Sequence, residues 1–106
     1  MTDNLTRLHQ NYRSAFIGYL ARRGETQLAL AYEIGRTAIL TGVSLLDLAQ
    51  IHNAVTLDLV RAASDGEERL ELAEAAAAFL VEVLASFDMA QRGFLESARA
   101  PYRHPG

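Results

Sequence analysis

Apolar residues recur at three- and four-residue spacing along almost the whole chain, and nowhere do they settle into the alternate-residue pattern of a half-buried strand. The repeat is broken at Gly24, at Gly42 and at the turn-forming run Ser64-Asp65-Gly66, and the first proline is Pro101. No Asn-Gly or Asp-Gly lies between β-branched runs, and Ala and Leu dominate throughout. These features predict an all-α chain of four helices, arranged as an antiparallel bundle with a long C-terminal helix.

The first helix is expected to begin after Thr2 or Asp3, both good N-caps. It carries Leu5, Leu8, Tyr12, Ala15, Phe16 and Tyr19 on one face and ends at Gly24 as a C-cap. The second runs from Glu25, whose charge suits a helix N-terminus, to Thr41, with Gly42 ending it. Its main apolar face is Leu28, Ala31, Tyr32, Gly35, Ala38 and Ile39, while Leu30 and Ile34 fall on another side, so more than one face is buried. Ser44 and Asp47 resemble a capping box and open a third helix reaching Ala63. Its inner face is Leu45, Leu48, Ile51, His52, Val55, Leu59 and Ala62. The fourth helix runs from Glu67 to Ala98, with Leu72, Ala76, Phe79, Val83, Phe87, Ala90 and Phe94 as its core stripe. Residues 1–98 then form the helical domain, and residues 99–106 a tail or linker.

The fourth helix has more apolar surface than one core needs. Ala78, Val81, Ala85 and Met89 make a second strip, with Asp88 and Arg92 on one edge and Glu82 on the other. Packing within the monomer, a dimer seam and a partner-docking surface each account for it. Ile17, Leu30, Ile34 and Met89 are grouped as dimer or surplus apolar surface. The short side chains of Ala75 to Ala78 suit close approach of another helix.

Composition narrows the function classes. With 106 residues, 50 % of them hydrophobic, the chain makes one domain that buries only about two-thirds of its unfolded surface, so self-association is a natural way to add core. Ten basic against 13 acidic residues give a formal net charge of -3, which argues against nucleic acid as a partner. The absence of cysteine removes disulfides, thiol catalysis and cysteine metal sites. The N-terminus lacks the basic start and apolar block of a signal peptide, and no apolar run approaches the ~20 residues that span a bilayer. A soluble, cytoplasmic protein with no membrane partner is expected.

A search for chemistry yields little. His9, His52 and His104 form no His-x-x-x-His or Glu-x-x-His pair, so no metal site is expected, and Glu67, Glu68, Glu71, Glu74 and Glu82 read as a solvated acidic face. No phosphate-cradling loop appears, which removes nucleotide cofactors and leaves no small-molecule substrate to infer. Ser14, Ser86 and Ser97 lack an acid-base partner at recognisable spacing. His52 invites comparison with four-helix phosphotransfer domains, but it sits among Leu45, Leu48, Val55 and Leu59, and His52-Asn53-Ala54-Val55 lacks the lysine and glycine that usually follow. A buried structural histidine is the better reading. By elimination the chain is a non-catalytic interaction module.

From about residue 8 to 92 the sequence resembles the N-terminal domain of the RsbU family of serine phosphatases, regulators of partner-switching stress pathways. The similarity rests on the order and spacing of Tyr12 through Leu20, Glu25-Thr26, Gly35-Arg36-Thr37, Ser44 through Ile51-His52, Phe79-Leu80-Val81-Glu82-Val83 and Met89-Ala90. The resemblance implies a dimeric all-α bundle that docks a switch kinase of the RsbT type and so raises the activity of a phosphatase domain acting in sigma-factor regulation. It places the partner surface at the start of the second helix and on the exposed face of the fourth, here Glu25, Ala29 and Val81, to which Arg36, Ala78 and Ala85 are added by position. Ala29 stands where the resemblance leads one to expect a bulky aromatic, and the sequence to residue 106 is expected to be either an excised regulatory domain ending in its linker or a free-standing relative. The alternatives are a purely structural dimerisation module and a phosphotransfer protein built on His52.

Overall fold

The computed structural model describes residues 2–99, with side-chain surroundings over residues 4–97. Four α-helices follow in order, α1 (Thr2–Ala21), α2 (Glu25–Leu40), α3 (Leu45–Ala62) and α4 (Gly66–Arg99), with no strand among the described residues. The all-α four-helix expectation is met. The tail expected from residue 99 lies outside the described residues, apart from Arg99, which still belongs to α4.

The helix ends are written by local chemistry. At the end of α2, Gly42 adopts a left-handed φ of 77°. Its amide donates to the Ile39 carbonyl, and that of Val43 donates to the Ala38 carbonyl at 2.8 Å. This pair closes a Schellman motif, which needs a residue free of the Cβ penalty at the left-handed position. Val43 is buried, fastening the turn to the core. Two residues on, the Ser44 hydroxyl accepts from the Asp47 amide and the Asp47 carboxylate accepts from the Ser44 amide, so aspartate completes the capping box that glutamate more often fills. Before α4 the Asp65 carboxylate accepts from the Glu68 amide at 2.8 Å, starting that helix slightly earlier than the pattern predicts. Gly24 departs from expectation. It is the extended N-cap of α2 (φ -143°) rather than a left-handed cap of α1, because a short link, Arg22–Gly24, separates the two helices.

Side-chain pairings give the topology. Gly18 neighbours Gln27 and Leu8 shares a groove with Thr37, so α1 and α2 are antiparallel. Leu5 lies near Asp47 and Arg13 near Asp58, so α1 and α3 run the same way. Gly35 meets the Val83–Phe87 segment and Leu40 meets Phe94 and Ser97, so α2 and α4 are parallel. The chain is an up-down-up-down bundle, with the pairing of α2 and α4 the most extensive of all while α2 and α3 barely touch. The result is flattened and elongated, 64 × 30 × 18 Å.

Tyr12, Phe16, Leu48, Val55, Phe79 and Val83 form the fully buried centre. Phe79 is its hub, with ring centroids of Tyr12, Phe16 and Tyr19 at 5.3, 5.2 and 5.9 Å. Five predicted inner-face positions are exposed instead: Leu45, on the first turn of α3, at 52 %, Phe94 at 50 % because α2 has ended at Leu40, Tyr32 at the rim at 37 %, Leu5 near the start of α1 at 36 %, and Ala62, whose neighbour Ala63 is buried in its place as α3 ends.

Gly35 sets the spacing between α2 and α4. A Cβ built there would overlap the Ser86 hydroxyl and the Val83 carbonyl oxygen, and would sit 2.9 Å from the Phe87 amide nitrogen. Ser86 is itself buried and donates its hydroxyl proton to the Val83 carbonyl at 3.0 Å, so the glycine meets a short side chain folded back onto its own helix. Replacing glycine inside a helix by alanine ordinarily stabilises by up to about 1 kcal/mol, whereas forcing atoms into a packed seam costs about 1–3 kcal/mol or more. Two of the three colliding atoms are backbone, so the collision wins. Gly35→Ala is expected to lower the melting temperature by at least ~4 °C in a circular-dichroism melt, and an unchanged or higher midpoint would refute the tight seam.

Candidate docking face and the buried histidine

His52 is settled by its surroundings. It is buried, its Nδ1 lies 2.6 Å from the Tyr12 hydroxyl, and the rings of Tyr12 and Phe16 pack around it with centroids at 5.8 and 6.3 Å. Burial holds the imidazole below its ordinary pKa and pushes the Tyr12 phenol well above its own, so both are neutral at pH 7 and the phenol can donate to Nδ1. A phosphoryl acceptor must reach solvent, whereas His52 is only 6 % exposed and its Nδ1 is already engaged by Tyr12. The phosphotransfer reading is overturned. Of the three helical serines, Ser86 is committed to the α2–α4 seam, and among the described residues no group of three His, Asp or Glu is placed to hold a metal ion.

Of the residues marked for docking, Glu25, Ala29 and Arg36 line recesses where α2 meets α4, Ala78 and Ala85 lie on the adjoining flank of α4, and Val81 lies further round that helix. Glu25 and Ala29, one turn apart on α2, line a recess with Leu28, Tyr32 and Glu33, and α4 contributes Glu82 to the same recess. Further along the junction Arg36 and Leu40 face Ala90, Gly93 and Phe94 across a second groove. On α4, Ala78, Val81, Ala85 and Met89 are all exposed, Val81 at 65 % and Met89 at 56 %. At 100° per residue Glu82, Met89, Ala78 and Ala85 lie on the flank of α4 beside α2, with Val81 rounding to the back. Arg92 and Asp88 pair at 3.2 Å on the far edge, an exposed contact worth under about 1 kcal/mol.

The surplus-surface group divides. Ile17 and Leu30 are 41 % and 46 % exposed, but Ile34 is 6 % exposed and belongs to the core. Its position on α2 turns it toward Leu8 and Ala15 of α1, a second burial direction that leaves no side chain to offer a partner. Sequence reasoning passed over Tyr32 and Glu33. Tyr32 reads as core by periodicity, and only the glycine contact, which seats α2 on a narrow line at Gly35, leaves that ring at the edge.

The family model described as phosphoserine phosphatase RsbU, N-terminal domain, matches residues 10–90 of the chain. No curated protein and no solved structure gives a match. No helix among the described residues is long and apolar enough to cross a membrane.

The histidine yields a pH prediction. Because the folded state holds the His52 pKa down, the unfolded chain binds a proton more readily as pH falls below about 6.5, and stability is lost in that direction until the folded-state pKa is reached. Melting midpoints at pH 7.5 and 5.5 should therefore differ more for the wild type than for His52→Gln. Tyr12→Phe, which strands the buried Nδ1, should cost about 1–3 kcal/mol at pH 7.5.

Proposed function

The chain belongs to the family of N-terminal domains of the phosphoserine phosphatase RsbU, whose role in the phosphatase partner-switching pathway is regulatory, and on that premise we propose that it docks an RsbT-type switch kinase and so controls a serine phosphatase, itself catalysing nothing. The observation that carries this reading is the exposed apolar strip Ala78, Val81, Ala85 and Met89 beside the α2–α4 junction. A folded monomer gains nothing from leaving Val81 in water, whereas burying a valine side chain in a complex is worth roughly 1.5–3 kcal/mol. The strip lies within the span that matches the family, and Glu82, which borders it on α4, lines the same recess as Glu25 and Ala29. Where the resemblance leads one to expect an aromatic at the position of Ala29, this chain offers Tyr32 from one turn further along the same recess.

A second reading, a structural dimerisation module, is favoured by the end of the bundle where α2 stops and α3 starts. Leu40, Leu46 and Leu95 are exposed there at 61 %, 66 % and 61 %, with Phe94 beside Leu40. Exposed apolar side chains at one end of the bundle suit a second copy, and pairing of copies through that end is compatible with kinase docking on the α2–α4 face.

Light scattering on a sizing column, with the chain alone and then with the RsbT-type kinase from the same source, separates the readings. Docking requires a larger mixed species. Val81→Asp should weaken that complex by about tenfold or more, since a charge replaces a buried methyl cluster, while helical content and melting midpoint stay within error. A dimer that ignores the kinase favours the dimerisation module, and a bundle unfolded by Val81→Asp would place Val81 in the core, against its exposure.

A further inference from the structure

The recess between α2 and α4 combines apolar floor with one sign of charge. Leu28, Leu30 and Tyr32 supply the apolar and aromatic surface, Glu25, Glu33 and Glu82 stand around it, and no arginine or lysine of this chain is among its lining residues. Nor does any of the three glutamates form an ion pair among the described residues, where the ion pairs are Arg13–Asp58, Arg61–Asp58 and Arg92–Asp88. The carboxylates share one recess yet do not form a group able to hold a metal ion. Their spread fits a longer cation that reaches past apolar surface to its charge, which is the shape of an arginine or lysine side chain.

Resting on the docking reading above, we propose that the kinase seats on this face a segment that is basic as well as apolar, with an arginine or lysine side chain entering between Glu25, Glu33 and Glu82 while its stem lies along Leu30 and Tyr32. The aliphatic neighbours of that side chain cover Ala78, Ala85 and Met89 of α4, which continue the same flank. Tyr32 presents a ring that a guanidinium can stack on. The arrangement divides the work: the apolar strip supplies contact area, and the carboxylates select a partner that brings positive charge and reject an acidic one.

The test measures Kd for the full chain and the RsbT-type kinase from the same source as salt is raised, in the wild type and in Glu33→Lys, Glu82→Lys and the charge-matched control Glu71→Lys. Glu71 lies near Leu72 and Leu59, between α4 and α3, away from the recess. Each recess reversal should weaken binding about tenfold or more, the control by under about twofold, and wild-type binding should weaken steeply with salt while the recess variants lose that dependence. If the wild type binds but its affinity is insensitive to salt, or the recess reversals act no more strongly than Glu71→Lys, the basic partner segment is wrong and the docking reading stands. If the wild type shows no binding at any salt, both fall together. Should a lysine variant fail to fold by circular dichroism, Glu33→Gln and Glu82→Gln make the same comparison.

Discussion

The contact of Gly35 with the backbone of α4 organises the rest of the molecule. In a square four-helix bundle α2 and α4 would stand on a diagonal, separated by side chains. Here a helix without a Cβ at its point of approach lies directly on Val83, Ser86 and Phe87, and the diagonal pair becomes the closest pair. With α2 and α4 drawn together, α1 packs against α2 and α3 is left to α1 and α4, in a molecule only 18 Å across at its thinnest. The close approach also aligns the outer flanks of two parallel helices into one face. The apolar strip on α4 and the recess on α2 adjoin because the seam between them is narrow.

The second constraint acts across the bundle. With α2 taken up by α1 and α4, α3 is held by α1 and α4 alone among its more extensive neighbours. The Tyr12 to His52 hydrogen bond lies inside that attachment, beside the Phe79 aromatic cluster, and the exposed Arg13–Asp58 pair lies outside it. A buried polar pair satisfied on both sides fixes the register of α1 against α3 at little net cost, whereas either partner alone would be an unsatisfied group in an apolar setting. The histidine is therefore part of the packing.

Much of this was legible in the chain. Gly42, the Ser44 and Asp47 pair, and Asp65 each carry a local hydrogen-bonding reason to end or start a helix, and those boundaries fall within a residue or two of where the pattern places them. The stripe Leu72, Ala76, Phe79, Val83 and Phe87 is core because five apolar residues at helical spacing have no cheaper place to go. What failed was tertiary. Leu45, Phe94 and Tyr32 satisfy the same periodicity, but whether a periodic position is covered depends on how far the neighbouring helix extends and how closely it approaches. Ile34 failed in the other direction, since α2 is covered on two sides and periodicity shows only how many faces are apolar. The exposed strip on α4 was visible as an excess; its place beside the recess of Glu25, Ala29 and the unanticipated Glu33 required knowing that Gly35 is a contact and not merely a small residue inside a helix.

On the proposed reading, the same seam that stabilises the domain displays its binding surface, and the central claim is that docking uses the α2–α4 face and leaves α3 alone. Backbone amide resonances followed during titration with the RsbT-type kinase address it directly. The account predicts shifts and broadening concentrated on the outward positions from Glu25 to Arg36 and from Ala78 to Met89, with the amides from Leu45 to Ala62 little changed. Perturbation centred on α3, or spread along α1 and α3 with the α2–α4 face silent, would contradict it.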